Sequence, residues 1–334
     1  MKYVLRTGLR PFATRAATAA LALLTCSAGP ALAAEDYPNK PIRMVVAFVP
    51  GGGTDIMGRL AAKGISDVLG ANVVVENRAG GGGAVGTGIV ASAAPDGYTL
   101  ITGGTGAHAI NPALYAKLPY KSPDDFAAVS LVATSPYLML VNKDFPAKTV
   151  QEFIEVAKQK PGGISMASSG NGGMPHLAGE LFQLMTGTDL LHVPYKGTGA
   201  VFPDLIAGRV QVTFADIAAA YPHIQAGSVR VLGITSPQRS PSYPDIPTIA
   251  EAGVPGYDAV GWFGTFAPAG TPKPIVDKLS QAIATFVKQP EVKKNMETLG
   301  AEPVGSSPED FDKVLRADIA RWAKVVKESG AKVE

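Results

Sequence analysis

Ser168, His176 and Asp216 are the residue types of a hydrolytic triad, and Ser169 beside His176 would serve the same chemistry, a hydroxyl activated by an imidazole base. The G-x-S-x-G turn that presents such a serine between strand and helix is missing. The four histidines include no His-x-x-x-His pair, so the usual ligand spacing of a zinc centre is also missing. Glycine-rich stretches offer a different chemistry, in which backbone N–H groups at a helix start hold an anion. Gly51-Gly-Gly53 precedes Thr54 and Asp55 without the Gly-Lys-Ser/Thr of a nucleotide P-loop. Gly81 to Gly86 has dinucleotide-fingerprint spacing but follows the second expected strand rather than the first, which makes the match weak.

Ser168-Ser-Gly-Asn-Gly-Gly-Met-Pro175 is the richest of these stretches, joining short side-chain donors at Ser168, Ser169 and Asn171 to glycine N–H groups. Two roles stand open for His176, a hydrogen bond to a ligand or a brace for its own loop. Asp216, at the end of an expected strand, either caps the next helix or projects into a cleft; there it would repel a second carboxylate and attract an amino or hydroxyl group. Thr105 and His108 either contact a ligand or fix a turn. Lys196 either neutralises an acid or stays solvated.

Strand, glycine loop and helix alternate in a way that suits βαβ units on a parallel sheet. Strands are expected at 41–48, 73–77 and 98–102, with a helix after Asp55, a small-residue helix over 84–93, and a glycine loop over 103–106. Tyr137 to Asn142 resembles a strand crossing between domains. A second series follows, with helices at 149–159, 176–185, 197–206 and 217–226 and strands at 164–168, 191–194, 210–214 and 229–235. Val260 to Ala267 is expected to return to the first domain, before helices at 272–288, 290–299 and 308–328. The last has the clearest period, with Phe311, Val314, Leu315, Ile319, Trp322, Val325 and Val326 on one face behind a Ser307-Pro308 start. Trp322 reads as a core residue anchoring this helix to the first domain.

Residues 1–33 read as an export signal: Lys2, Arg6, Arg10 and Arg15 precede an apolar stretch and Ala31-Leu-Ala33, with cleavage expected near Ala33. Cys26, in a weak lipobox-like setting, is the alternative processing point. Removing that segment takes four basic and no acidic residues, leaving 26 Lys+Arg against 28 Asp+Glu and little support for nucleic-acid binding. No cysteine remains, so packing and hydrogen bonds must hold the folded body. About 300 residues suffice for two domains.

Tyr37-Pro-Asn-Lys-Pro-Ile-Arg43, Val46-Ala-Phe-Val-Pro-Gly-Gly-Gly-Thr-Asp55 and Val74-Val-Glu-Asn-Arg-Ala-Gly80 resemble the opening of the Bug/TctC family of periplasmic solute receptors. Ala109 to Tyr115, Ser168 to Gly172, His192 to Gly197, Pro244 to Gly253, Gly261-Trp-Phe-Gly264 and Pro268 to Pro272 continue the resemblance in order, over nearly all residues after 36. It implies an α/β clamp like the type II periplasmic binding proteins, with residues 34–137 and 258–334 in one domain, 138–257 in the other, and two crossing strands between them. It implies an enclosed small organic acid, such as a di- or tricarboxylate, an acidic amino acid or an aromatic carboxylate, and a membrane permease of a tripartite tricarboxylate transporter as partner. Carried onto this chain, the ligand positions are Phe48, Pro50, Gly51, Gly52, Thr54 and Asp55, then Thr105, Gly106 and His108. The second domain contributes Ser169, Asn171, His176 and Asp216. No cofactor, metal or catalytic step is expected; the competing readings are a periplasmic hydrolase using Ser169 and His176, and a sensory or interaction protein using the same clamp.

Overall fold

A computed structural model describes Tyr3, residues 37–195 and residues 197–332. Apart from Tyr3, the expected export signal with its cleavage point, and Lys196, lie outside the described residues. Two sheets organise the chain. The first has strand order β11-β4-β10-β3-β1-β2, built from β1 (Ile42–Val46), β2 (Val73–Asn77), β3 (Thr99–Gly104), β4 (Phe126–Ser135), β10 (Gly261–Pro268) and β11 (Glu302–Pro303). The second has order β7-β6-β8-β5-β9, from β5 (Tyr137–Asn142), β6 (Ser165–Ser168), β7 (Leu191–Pro194), β8 (Val212–Asp216) and β9 (Val229–Ile234). In the first sheet β1, β2 and β3 run parallel, and β10 lies antiparallel between β3 and β4. In the second, β6 runs parallel to β7 and β8, and β5 lies antiparallel between β8 and β9. This is the two-domain α/β fold of a type II binding-protein clamp.

The chain crosses between sheets twice. Only Pro136 separates β4 from β5, and the segment after β9 returns to β10. The two crossings are tied at the same level: Tyr137 N donates to Thr235 Oγ1 at 2.8 Å, Thr235 N to Tyr137 O at 2.9 Å, and Ala259 N to Thr235 O at 3.0 Å. Satisfying these backbone groups lets a narrow, irregular joint sit between two cores without orphaned donors.

Ten α-helices are described: α1 (Gly53–Leu69), α2 (Ala84–Ala91), α3 (Asn111–Leu114), α4 (Val150–Gln159), α5 (Met174–Thr186), α6 (Phe202–Ile206), α7 (Ile217–Gln225), α8 (Lys273–Val287), α9 (Pro290–Thr298) and α10 (Pro308–Ser329). Local signals explain several boundaries. Ser307 Oγ caps α10 by accepting from Asp310 N at 3.1 Å, Pro308 supplies the first turn, and Gly330 ends it at φ 71°. Phe311, Leu315, Trp322, Val325 and Val326 are buried on one face. That face packs on β4 and α3 of the first domain and also on α5 of the second, so α10 spans both.

Two expectations change. The expected 103–106 loop is strand as far as Gly104, and glycine is needed there for contact rather than turning. A Cβ on Gly103 would stand 2.2 Å from His108 Cε1, and one on Gly104 3.0 Å from Trp262 O. The following residues Gly106–Ile110 form a single π turn. The expected 197–206 helix divides into a 3₁₀ turn over Thr198–Ala200 and the short α6, which carries Pro203 in its first turn.

Candidate functional site

Between the sheets lies a chamber of about 270 Å³, close to the lower end of the roughly 300–1,000 Å³ typical of small-molecule sites. β1 leads into its first wall through Phe48 and Val49, and α1 begins there at Gly53 and Thr54. Gly52 is the cap residue of α1 and supplies no side-chain acceptor, so the first N–H groups of a 17-residue helix are left for another acceptor. A Cβ on the neighbouring Gly53 would stand 2.9 Å from Phe263 Cζ, so a side chain there would press on a ring that lines the chamber. β3 and the π turn place Gly104, Thr105, Gly106 and Ala107 on the same wall, in the type of helical irregularity that recurs at functional sites.

The second sheet supplies the opposite wall. α5 starts at Met174 behind Gly173, again without a side-chain cap, and Ser169 stands on the loop before it. Gly197 and Thr198 open the 3₁₀ turn, also uncapped by a side chain. α7 differs: Asp216 Oδ1 accepts from Ala219 N at 2.9 Å and caps it. Tyr137, the register partner of Asp216 on β5, forms part of the floor with Trp262 and Phe263 of β10. Burial, followed by the neighbouring Asp216 carboxylate, pushes the Tyr137 phenol well above its ordinary range, so it is a neutral donor at physiological pH. Among the described residues on the wall, Asp216 is the single charged side chain.

Of the residues expected to meet a ligand, Phe48, Gly52, Thr54, Thr105, Gly106, Ser169 and Asp216 lie on this wall. Pro50, Gly51, Asp55, His108, Asn171 and His176 do not. Asp55 is turned away because three donors claim it: Gly51 N at 3.0 Å, Arg59 Nε at 3.0 Å and Asn77 Nδ2 at 2.8 Å. Its burial opposes ionisation, but the bonds from Arg59, Gly51 and Asn77 outweigh it and hold the carboxyl below its ordinary range. Asn77 also donates to Phe48 O at 3.0 Å, so Asp55 pins the loop that carries the wall rather than forming the wall. Pro50 and Asn171 point to solvent.

His108 is wholly buried behind the π turn. Its ring stacks on Phe266 at 4.1 Å and meets Phe126 edge-on at 5.1 Å, and neither ring nitrogen has a hydrogen-bond partner. Desolvation therefore pushes its pKa down to about 3, against a smaller opposing influence of the Gly104 backbone. His176 braces its loop: Nδ1 accepts from Gly172 N at 3.2 Å, Nε2 lies 3.4 Å from Glu180 Oε1, and the ring stacks on His192 at 3.9 Å. Ser168 is fully buried and its Oγ lies 2.7 Å from His192 Nε2, not from His176. Ser168, His176 and Asp216 thus form no relay from acid to base to nucleophile. Among the described residues, no group of three or more His, Cys, Asp or Glu side chains is placed to hold a metal.

Tyr137, Trp262, Phe263, Met174 and Thr198 reach the wall without having been expected there. A usable signal existed for three of them: a strand that crosses between two domains must pass the floor of the space between them. Trp262 is fixed from two sides, its backbone N donating to Thr105 Oγ1 at 2.9 Å and its indole Nε1 to Asp318 Oδ2 on α10 at 2.7 Å.

Residues 57–331 match the family model described as the tripartite tricarboxylate transporter family receptor, TctC. Protein BugT of Bordetella pertussis is 38% identical over 304 residues, which cover 91% of this chain and 93% of that protein. Among solved structures, R. palustris Rpa4515 with adipate superimposes with a TM-score of 0.81 at 40% identity, covering 88% of this chain and 99% of that one. MatC from Rhodopseudomonas palustris, with bound malate, gives 0.77 at 36% identity, covering 87% and 100%.

Proposed function

From the Bug/TctC family of tripartite tricarboxylate transporter receptors, to which this chain belongs, we propose that the protein captures a small organic acid in the periplasm by closing two lobes over it. Residues 34–137 and 258–334 act as one lobe and 138–257 as the other. The closed form is then presented to the membrane permease of a tripartite transporter. The observation that carries this reading is the meeting, in one chamber, of side-chain-free helix starts from two different sheets: Gly52 before α1 on one side, Gly173 before α5 and Gly197 on the other. Such N–H groups stabilise a carboxylate without a fixed positive side chain. Phe48, Trp262, Phe263 and Met174 line the space between and suit a carbon skeleton. The acids named with the relatives, adipate and malate, are of this class. This reading requires no bond to be made or broken; among the described residues Ser168, whose Oγ meets His192 Nε2, is sealed from the chamber.

A thermal-shift screen of the mature chain against mono-, di- and tricarboxylates, acidic amino acids and aromatic acids is the test. A true ligand at 100 times its Kd adds about 2.7 kcal/mol to the native state and raises the melting temperature in proportion. Stabilisation by at least one acid, with none by sugars or aliphatic amines, is expected. Absence of any response, or ester or amide turnover abolished by Ser169→Ala, would overturn the receptor reading.

A further inference from the structure

Asp216 is more than a helix cap. One oxygen, Oδ1, is committed to Ala219 N, while Oδ2 has no hydrogen-bond partner among the described residues and the side chain lies on the chamber wall. Tyr137 stands beside it across the β5–β8 pair, and its hydroxyl likewise has no partner among the described residues. This corner therefore offers a negative acceptor next to a neutral donor, whereas α1 and the π turn across the chamber offer N–H groups. The two sides call for different chemistry. An ionised carboxylate suits the α1 side, but against Asp216 it would face a like charge in a partly desolvated space. A hydroxyl, a primary amide or a protonated carboxyl can instead donate to Oδ2 and accept from Tyr137. A site built around a polar partner penalises an analogue that lacks it, because the buried group is then left unpaired.

We propose that Asp216, with Tyr137, is the selectivity determinant of the chamber and that the ligand is a monoanion: one ionised carboxylate toward α1 and a hydrogen-bond donor toward Asp216. The proposal rests on the receptor reading above and narrows its ligand class. A fully ionised dicarboxylate then binds only by taking up a proton, so its affinity falls about tenfold for each pH unit above the pKa of its second carboxyl.

The test is calorimetric titration of the mature chain with straight-chain probes of four, five and six carbons. At each length the dicarboxylate is compared with its monoamide and with the ω-hydroxy acid, near pH 6 and near pH 8. At the best length the monoamide or hydroxy acid should bind at least about tenfold more tightly than the dicarboxylate near pH 8, and only the dicarboxylate should weaken with rising pH. Asp216→Asn and Asp216→Ser both retain a capping oxygen for α7. Both should remove the pH dependence and bring the dicarboxylate level with its partners or above them. Dicarboxylates that bind tightly with no pH dependence, and a ranking unchanged in both variants, would overturn the proposal while leaving the receptor reading intact. If no acid of any length or type binds, the receptor reading falls and this inference falls with it.

Discussion

His108 carries a stability penalty that acid should expose. In the unfolded chain its imidazole titrates near pH 6.5, whereas in the aromatic cage of Phe126 and Phe266 burial lowers the pKa to about 3. Between those values the unfolded state binds a proton that the native state refuses, so stability rises with pH through this window and is fully present above about pH 6.5. At 1.36 kcal/mol per unit, His108 alone should cost the fold about 2 kcal/mol near pH 5 and about 3 kcal/mol near pH 4, relative to pH 7.5. His108→Phe removes the titrating group and keeps a ring against Phe266; His108→Leu serves as a smaller replacement should the extra ring atom press on Gly103. Urea denaturation of the ligand-free mature chain at several pH values gives the difference between wild type and variant. His192, whose imidazole is also pushed down, to about 4, by burial and then by His176, titrates in both proteins and cancels, as do the carboxylates. Whatever constant offset the substitution brings, the variant should gain about 2 kcal/mol on wild type between pH 7.5 and pH 5. A difference that does not change with pH would refute the placement of a neutral, unpartnered imidazole in the core.

Thr105→Val keeps the shape of the π turn but removes the acceptor of the buried Trp262 N–H, at a cost of about 1–3 kcal/mol visible by denaturation, and should weaken acid binding because Trp262 forms part of the floor. Gly264→Ala puts a methyl group 2.0 Å from Phe311 Cζ and should destabilise by about 1–3 kcal/mol or more. Adding Phe311→Leu to Gly264→Ala should recover part of that loss in a double-mutant cycle, and strict additivity would show that the two do not meet.

Backbone rules made much of the fold legible. The Ser307-Pro308 start, the apolar stripe to Val326 and Gly330 mark α10 within one residue, because capping, period and termination are all local. Loop positions at the strand ends were readable for the same reason, and Gly52, Thr54, Thr105, Gly106, Ser169 and Asp216 all reach the wall. Side-chain direction is different. Asp55 turns inward because Arg59 and Asn77, four and 22 residues away, outcompete the chamber for it, and Asn77 lies on another strand. His108 turns inward because Phe126 and Phe266 close around it from β4 and β10. The Asp55–Arg59 pair has a local i,i+4 spacing, but Asn77 and the cage around His108 come from other strands and leave no local signature. Gly103 and Gly104 misled for a related reason, since glycine marks a turn and a crowded strand equally well in one dimension.

A receptor needs a reason to close, and the choice of glycine amides over lysine or arginine supplies one. An arginine fork on one lobe would hold a carboxylate almost as well with the clamp open as with it shut, and a ligand with equal affinity for both states shifts neither. In the proposed site each lobe offers only part of the donor set: Thr54, Thr105 and Gly106 beside the first sheet, Ser169, Gly173 and Thr198 beside the second. On that proposal the full set exists only when the lobes meet; Gly172 lies against Leu114 so closely that a Cβ would stand 2.4 Å from Cδ2. Under the proposed function, binding free energy would be concentrated in the closed state, and closure would signal that the site is filled. The crossing strands are tied to each other at Tyr137 and Thr235, a narrow joint of the kind that the proposed closure requires of a hinge.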